Sequence, residues 1–98
     1  MNKINLSNKI AIVTGGAQGF GLAITKKLIE SGATVIIFDI DRGASDKALK
    51  EINSKKCFVK TVDVTKFDDI DKNLKQINKD FNKIDIFINN AGITGKNA

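Results

Sequence analysis

Short apolar runs alternate along this chain with stretches in which apolar residues recur every three or four positions. A continuous apolar run is typical of a strand buried on both faces, and the wider spacing is typical of a helix with one face on a core. Strands are therefore predicted at Ile10–Val13, Ala33–Phe38, Cys57–Val62 and Ile84–Ile88. Helices are predicted from Phe20 to a stop at Gly32, at Gly43–Asn53 and at Phe67–Phe81.

Each predicted helix carries an apolar stripe that should face the sheet. The stripes are Phe20, Ala23, Ile24 and Leu28 in the first helix, Ala44, Ala48 and Ile52 in the second, and Phe67, Ile70, Leu74, Ile77 and Phe81 in the third. The third stripe is the clearest, and two heptads are too few to specify a coiled coil, so core packing is the better interpretation. Thr65 is placed to cap this helix.

Strand and helix alternate from one end of the chain to the other, in the order βαβαβαβ. This order predicts an α/β fold with three layers, a Rossmann-type doubly wound parallel sheet with strand order 3-2-1-4. Residues 1–98 then form one domain, which we expect to be a partial one. Ligands bind such sheets at the carboxyl ends of the strands, so the turns after the first and fourth strands should face one crevice.

The turn after the first strand carries glycines at Gly15, Gly19 and Gly21. Gly15 can end the strand in a tight bend, Gly19 leaves room for a pyrophosphate, and Gly21 lets the helix lie close to its strand. The N–H groups at the start of the helix would face the anion. Taken alone, such a turn is also compatible with an ordinary strand-to-helix connection that binds nothing.

Asp39 ends the second strand, 18 residues beyond Gly21. Dinucleotide-binding folds place an acid near this separation, where it accepts hydrogen bonds from the adenosine ribose. A carboxylate there would repel the additional phosphate of NADP, so NAD is the predicted cofactor. Arg42 could instead hold that phosphate, although it would have to outweigh Asp39 and Asp41. Asp39 could also simply cap the following turn.

Composition narrows the possible functions. The net charge of +5 comes almost wholly from lysines scattered among acidic residues, which does not favour nucleic-acid binding. No apolar stretch is long enough to span a membrane, and the polar start lacks the apolar segment of a signal peptide, so we expect a cytosolic chain. The chain has no histidine, and its single cysteine, Cys57, is expected to be a small buried residue. No metal site is predicted.

The segment Thr14–Gly21, TGGAQGFG, resembles the Thr-Gly-x-x-x-Gly-x-Gly signature of the short-chain dehydrogenase/reductase family. The resemblance runs from about Lys9 to the last residue. It implies that Asp63 and Val64 contact the adenine edge and that the turn at Asn89–Gly92 lines the cofactor near the ribose. Without it, Asp63 reads equally well as a helix-start acid, and the asparagines can tie strand ends together. The predicted cofactor-binding residues are Gly15, Gln18, Gly19, Phe20, Gly21, Asp39, Ile40, Asp63, Val64, Asn90, Ala91 and Gly92.

The chain departs from this family in its catalytic residues. The resemblance implies a later set of Asn, Ser, Tyr and Lys that exchanges a proton with an alcohol or carbonyl substrate, yet the chain contains no tyrosine. We therefore predict no catalytic residue here. We expect the chain to represent the cofactor-binding portion of an NAD-dependent enzyme and to be inactive alone. A non-catalytic NAD-binding module and a fragment completed by a partner remain open.

The predicted fourth strand lies at the edge of the sheet. A fifth strand would normally pair with it, so Ile84, Ile86 and Ile88 would lie on an open edge. We expect marginal stability and association, with a second copy as one candidate partner. Beyond NAD(H), an alcohol or carbonyl substrate is expected only if the missing half is supplied, and the sequence does not indicate which substrate.

Overall fold

A computed structural model describes residues 4–90 and contains four strands joined by three helices. The strands are β1 (Ile10–Thr14), β2 (Thr34–Asp39), β3 (Cys57–Thr61) and β4 (Ile86–Asn89). The helices are α1 (Gly19–Glu30), α2 (Arg42–Ile52) and α3 (Phe67–Phe81). All strand pairs are parallel, and the order across the sheet is β3-β2-β1-β4. The predicted fold class and strand order are confirmed.

The two central strands account for most of the core. Every residue of β1 is buried, and so is every residue of β2 except Thr34. The prediction of full burial is wrong for the two outer strands, because β3 is buried only at Cys57 and β4 alternates between partly buried and exposed positions. An outer strand has a neighbour on one side only, so helices that pack over the centre of the sheet leave part of it in water.

The helices divide between the two faces of the sheet and produce three layers. One core contains Val13, Val35 and Ile37 and is covered by apolar residues of α1 and α2. The other contains Ile12, Ile36 and Phe38 and is covered by Ile77 and its neighbours on α3. Ala44, Ala48 and Ile52 of α2 contact the first core as predicted.

The predicted apolar stripes of the first and third helices each include a first residue that is exposed in the structure. Phe20 is 69% exposed and Phe67 is 77% exposed, although both were expected to face the core. Both residues lie in the first turn of a helix, and neither belongs to the residues that pack against the two cores. On α1, Ala23 is exposed as well, and the buried side is formed by Leu22, Ile24, Thr25, Leu28 and Ile29.

The cap of α3 also differs from the prediction. The helix begins after Lys66, and Thr65 instead donates its N–H and its hydroxyl to the Asp63 carboxylate. Cys57 is buried as expected at the start of β3, and burial raises the pKa of its thiol to about 11. It is therefore a packing residue and not a reactive thiol.

Asp85 fixes the pairing of β4 with β1 through two hydrogen bonds to one residue. The N–H of Ile10 donates to the Asp85 Oδ2 at 2.8 Å, and the Asp85 N–H donates to the Ile10 carbonyl at 2.8 Å. The Ile10 N–H, together with Lys83, holds the pKa of this carboxyl below its ordinary value. The contact between Ile10 and Asp85 at the start of β4 therefore favours the ionised form of Asp85.

We predict that Asp85 contributes stability that depends on pH. A lowered pKa in the folded chain means that the contribution is present above the unfolded pKa, near 4, and is lost as pH falls through the folded value. Urea midpoints of the unmodified chain and Asp85→Asn should therefore differ at pH 6 and converge towards pH 2. A constant difference between the two chains over this range would contradict the prediction.

Within residues 4–90, no helix is both long and apolar enough to cross a bilayer. β4 lies at the edge of the sheet, with Phe87 43% exposed. Ile84, Ile86 and Ile88 are less exposed than predicted, because they pack against the cores. Association through this edge stays a prediction.

Candidate functional site

The carboxyl ends of all four strands meet at one edge of the sheet. Thr14 pairs with Phe38 of β2 on one side and with Asn89 of β4 on the other. The glycine turn after β1 therefore lies between Asp39 at the end of β2 and Asn90 just beyond β4. The glycine turn and the ends of β2 and β4 thus lie together at the edge where the strand order predicts a crevice.

The glycine turn is built from backbone conformations that favour glycine. Gly15 has φ 65° and Gly19 has φ 58°. The Gly15 N–H donates to the Phe38 carbonyl at 2.7 Å, which continues the ladder between β1 and β2 to the first residue of the turn. A Cβ added at Gly19 would meet no atom within 4 Å, so the space outside this residue is open. The turn thus presents accessible main chain on its outer side.

Gly21 occupies the tightest position in the turn. A Cβ placed there would lie 2.1 Å from the Gly15 carbonyl oxygen and 2.5 Å from the Asn90 Nδ2. The Asn90 amide donates to the same carbonyl at 3.1 Å. Asn90 is 2% exposed, and its Oδ1 has no hydrogen-bond partner within the described residues. Asn90 thus ties the end of β4 to the glycine turn, as the structural interpretation of the asparagines anticipated.

The first turn of α1 contains no acidic side chain and no side-chain cap. Gln18 is the N-cap residue but makes no side-chain capping hydrogen bond, and the first turn has no acidic residue. The positive end of the helix dipole is therefore not neutralised by its own sequence. Gln18 and Gly19 line a cavity of about 170 Å³ together with Lys47 and Glu51 of α2. Phe20 extends into solvent.

Asp39 is 8% exposed and bridges two segments of the crevice. Its Oδ2 accepts the Ala17 N–H of the glycine turn at 3.3 Å, and its Oδ1 accepts the Asp41 N–H at 3.0 Å. It therefore caps the turn after β2, which was one interpretation, and also supports the turn after β1. The adjacent Ile40 is 63% exposed.

The neighbouring charges do not compensate Asp39. Arg42 pairs with Asp46 one helical turn along α2, with its Nε 3.1 Å from the Asp46 Oδ1. Asp41 accepts the Ala44 N–H and caps the same helix. In this arrangement the arginine that could have held a phosphate is directed towards an acid on its own helix. The end of β2 therefore has a negative character.

Asp63 and Val64 form the turn between β3 and α3. The Asp63 Oδ1 accepts the Thr65 hydroxyl at 2.6 Å and the Thr65 N–H at 3.0 Å. These two bonds hold the pKa of Asp63 below its ordinary value, so it is ionised near neutral pH. An open cavity of about 630 Å³ adjoins this turn, lined by Asp63, Phe67 and Asp69 among others.

Several residues support the site through contacts that the sequence did not predict. The buried Thr25 on α1 donates to the Gly16 carbonyl at 3.5 Å, and Thr14 donates to the Asn89 Oδ1 at 3.2 Å. Asp69 accepts the Asp63 N–H. These are ordinary polar residues whose partners are distant in sequence or outside any motif. Ala91 and Gly92, the other predicted cofactor contacts, lie outside the described residues.

Comparison with known proteins gives a consistent result. A model of the family described as short chain dehydrogenase matches residues 9–98. An NAD-dependent glycerol dehydrogenase from Listeria innocua is 39% identical over 91% of this chain and 35% of its own length. A 3-oxoacyl-(acyl-carrier-protein) reductase from Vibrio harveyi is 42% identical over 96% of this chain and 38% of its own length.

A solved structure supports the same relationship. The crystal structure of a 3-ketoacyl-(acyl-carrier-protein) reductase from Brucella melitensis, complexed with NADH, is similar with a TM-score of 0.77 and 30% identity. The similarity covers 85% of this chain and 34% of that chain. The chain thus spans little more than a third of the length of the proteins that it resembles.

Proposed function

This chain belongs to the short chain dehydrogenase family, and on that premise we propose that it forms the NAD-binding portion of an oxidoreductase that interconverts an alcohol and a carbonyl. The observation that carries the proposal is Asp39, a nearly buried carboxylate hydrogen-bonded to the glycine turn at the carboxyl end of β2. The combination of a glycine turn, a helix start and this acid fits an adenine dinucleotide.

The residues of the crevice fit the two halves of an adenosine diphosphate in different ways. The open space outside Gly19 and the uncapped start of α1 suit the pyrophosphate. The Asp39 carboxylate suits the ribose hydroxyls, and Ile40, Asp63 and Val64 would border the adenine. Gln18 and Phe20 flank the pyrophosphate side, and Asn90 holds the glycine turn from behind. Contacts from Ala91 and Gly92 are part of the same proposal.

The chemistry of such an enzyme is divided between cofactor and protein. When bound, the nicotinamide supplies or accepts the hydride. The residues described above would bind and orient the cofactor, and none of them is proposed to transfer the substrate proton. An isolated chain would therefore hold nucleotide without turning over a substrate.

A second candidate is a non-catalytic NAD-binding module, or a half completed by another polypeptide. The chain contains no tyrosine and matches little more than a third of each relative, so in either case the catalytic tyrosine of the family would have to come from outside residues 1–98. A second copy of the chain is one such partner, and we propose the cytosol as the location. Both candidates predict that the 98-residue chain binds nucleotide without turnover, so the test that distinguishes them is whether the coding DNA continues in frame to a Tyr-x-x-x-Lys motif.

Cofactor choice tests the role of Asp39. The unmodified chain should bind NAD or ADP-ribose about tenfold or more tightly than NADP, because a fixed carboxylate repels the additional phosphate. Asp39→Ala should narrow this preference, measured by titration calorimetry with each ligand. Asp39→Asn is the matched variant, because it removes the charge but keeps an oxygen that can accept the Ala17 N–H.

If the charge of Asp39 sets the preference for NAD over NADP, that preference should be smaller in both Asp39→Ala and Asp39→Asn. Asp39→Asn should bind ADP-ribose more tightly than Asp39→Ala does. If the unmodified chain bound NADP more tightly than NAD, the assignment of the cofactor would be wrong.

A further inference from the structure

We propose that Asp69, in the first turn of α3, is a positioning residue that fixes the Asp63–Val64 turn for binding of the adenine end of the nucleotide. The proposal rests on the proposed NAD-binding function and adds to it a residue outside the recognised motifs. It is carried by hydrogen bonds that connect the helix to the end of the neighbouring strand.

The main contact joins Asp69 to Asp63, two residues beyond the end of β3. The Asp69 Oδ2 accepts the Asp63 N–H at 2.8 Å. An acid at this position of a helix ordinarily reaches back to its own N-cap residue, which here is Lys66. Asp69 reaches three residues further, past the cap, to the turn itself.

The turn is held on both sides of Val64. The N–H before it, on Asp63, is bound by Asp69, and the N–H after it, on Thr65, is bound by the Asp63 carboxylate at 3.0 Å. With the amides on either side held by carboxylates, the peptide groups around Val64 have little freedom to rotate. A ligand that hydrogen-bonds to this turn would therefore find it already ordered, which lowers the entropic cost of binding.

Asp69 is itself held in place. The Asn73 Nδ2 donates to the Asp69 carbonyl at 2.8 Å and to its Oδ1 at 3.3 Å, and the Lys72 Nζ lies 3.9 Å from that Oδ1. The Asp69 side chain is 28% exposed, so these bonds are partly protected from water. The Asp69 Oδ1 is thus held by residues of α3, while the Asp69 Oδ2 accepts the hydrogen bond from the turn.

The test is an NMR titration of the 98-residue chain with ADP-ribose, with inorganic pyrophosphate as the control ligand. Asp69→Ala should weaken ADP-ribose binding about tenfold, because a charge-assisted hydrogen bond that orders the turn is lost. Pyrophosphate affinity should stay within twofold, since the glycine turn is not altered. Asp69→Asn should retain most of the affinity, because its amide oxygen can accept the same N–H.

Two further variants separate positioning from charge and from folding. Asp68→Ala removes an equal charge from the same helical turn and should leave ADP-ribose affinity within twofold. Asn73→Ala removes only the amide that orients Asp69 and should cost about threefold. If Asp69→Ala does not fold, Asn73→Ala replaces it as the test, because it leaves the Asp69 carboxylate in the chain.

Three other results would contradict the proposal, and each has a different meaning. If Asp69→Ala, or Asn73→Ala where the former does not fold, binds ADP-ribose as the unmodified chain does, the positioning role is wrong and NAD binding stands. If the variant loses ADP-ribose and pyrophosphate equally, Asp69 has a general structural role instead. If the unmodified chain binds neither ligand, the proposed function fails, and the role of Asp69 fails with it.

Discussion

Replacing Gly21 with alanine should remove about 3 kcal/mol or more from the free energy of unfolding and abolish nucleotide binding. The new Cβ would lie 2.1 Å from the Gly15 carbonyl oxygen, which is main chain and cannot rotate away as a side chain could. It would also lie 2.5 Å from the Asn90 Nδ2, so the hydrogen bond between Asn90 and that carbonyl would be disrupted. The glycine turn, the start of α1 and the end of β4 would all have to move.

Gly19→Ala is the matched control for this prediction. Gly19 also belongs to the turn and has φ 58°, but its Cβ would meet nothing within 4 Å. The expected cost is therefore only the backbone strain, about 1 kcal/mol. Urea unfolding would give the stabilities and calorimetry with ADP-ribose the affinities. Equal stability losses for the two variants would show that the close approach at Gly21 does not limit the fold.

The second large effect is the absence of turnover. We expect the 98-residue chain to show no dehydrogenase activity even at saturating NAD. A positioned general acid or base contributes ~10²- to 10⁴-fold to such reactions and must lie within hydrogen-bond reach of the reacting oxygen. The chain contains no histidine and no tyrosine. Asp39 and Asp63 are assigned to the adenosine end of the proposed site, away from the reacting carbon.

The assay would follow NADH absorbance with secondary alcohols, hydroxyacyl thioesters and sugar acids, using protein freed of host dehydrogenases. Gly19→Trp is the control, because the indole would fill the open space outside Gly19 and block the pyrophosphate. Turnover that survives purification and disappears in Gly19→Trp would mean that catalysis here does not need the tyrosine of the family.

The sequence was sufficient to predict the sheet. Continuous apolar runs identified the strands, the spacing of apolar residues identified the helices, and their alternation gave the parallel order that the structure confirms. These features follow from local periodicity, because burial on one or both faces imposes a regular spacing on a strand or helix. The glycines and Asp39 were identified as candidate cofactor-binding residues from local sequence as well, because the glycines follow the first strand at fixed spacing and Asp39 ends the second strand.

Only the tertiary structure decided which side of a helix is covered and which polar groups meet. Phe20 and Phe67 continue a helical stripe in the sequence yet are exposed in the first turn of their helices, because a periodic pattern does not specify where along a helix the packed core begins. The contacts from Asp85 to Ile10 and from Asn90 to Gly15 each join residues 75 positions apart. Asp69 to Asp63 is a short-range contact, but it depends on where α3 begins and how its first turn approaches β3. Hydrogen bonds require a direction and a distance that only the packed sheet provides, whereas a repeating apolar pattern identifies a strand or a helix without fixing which of its residues are buried.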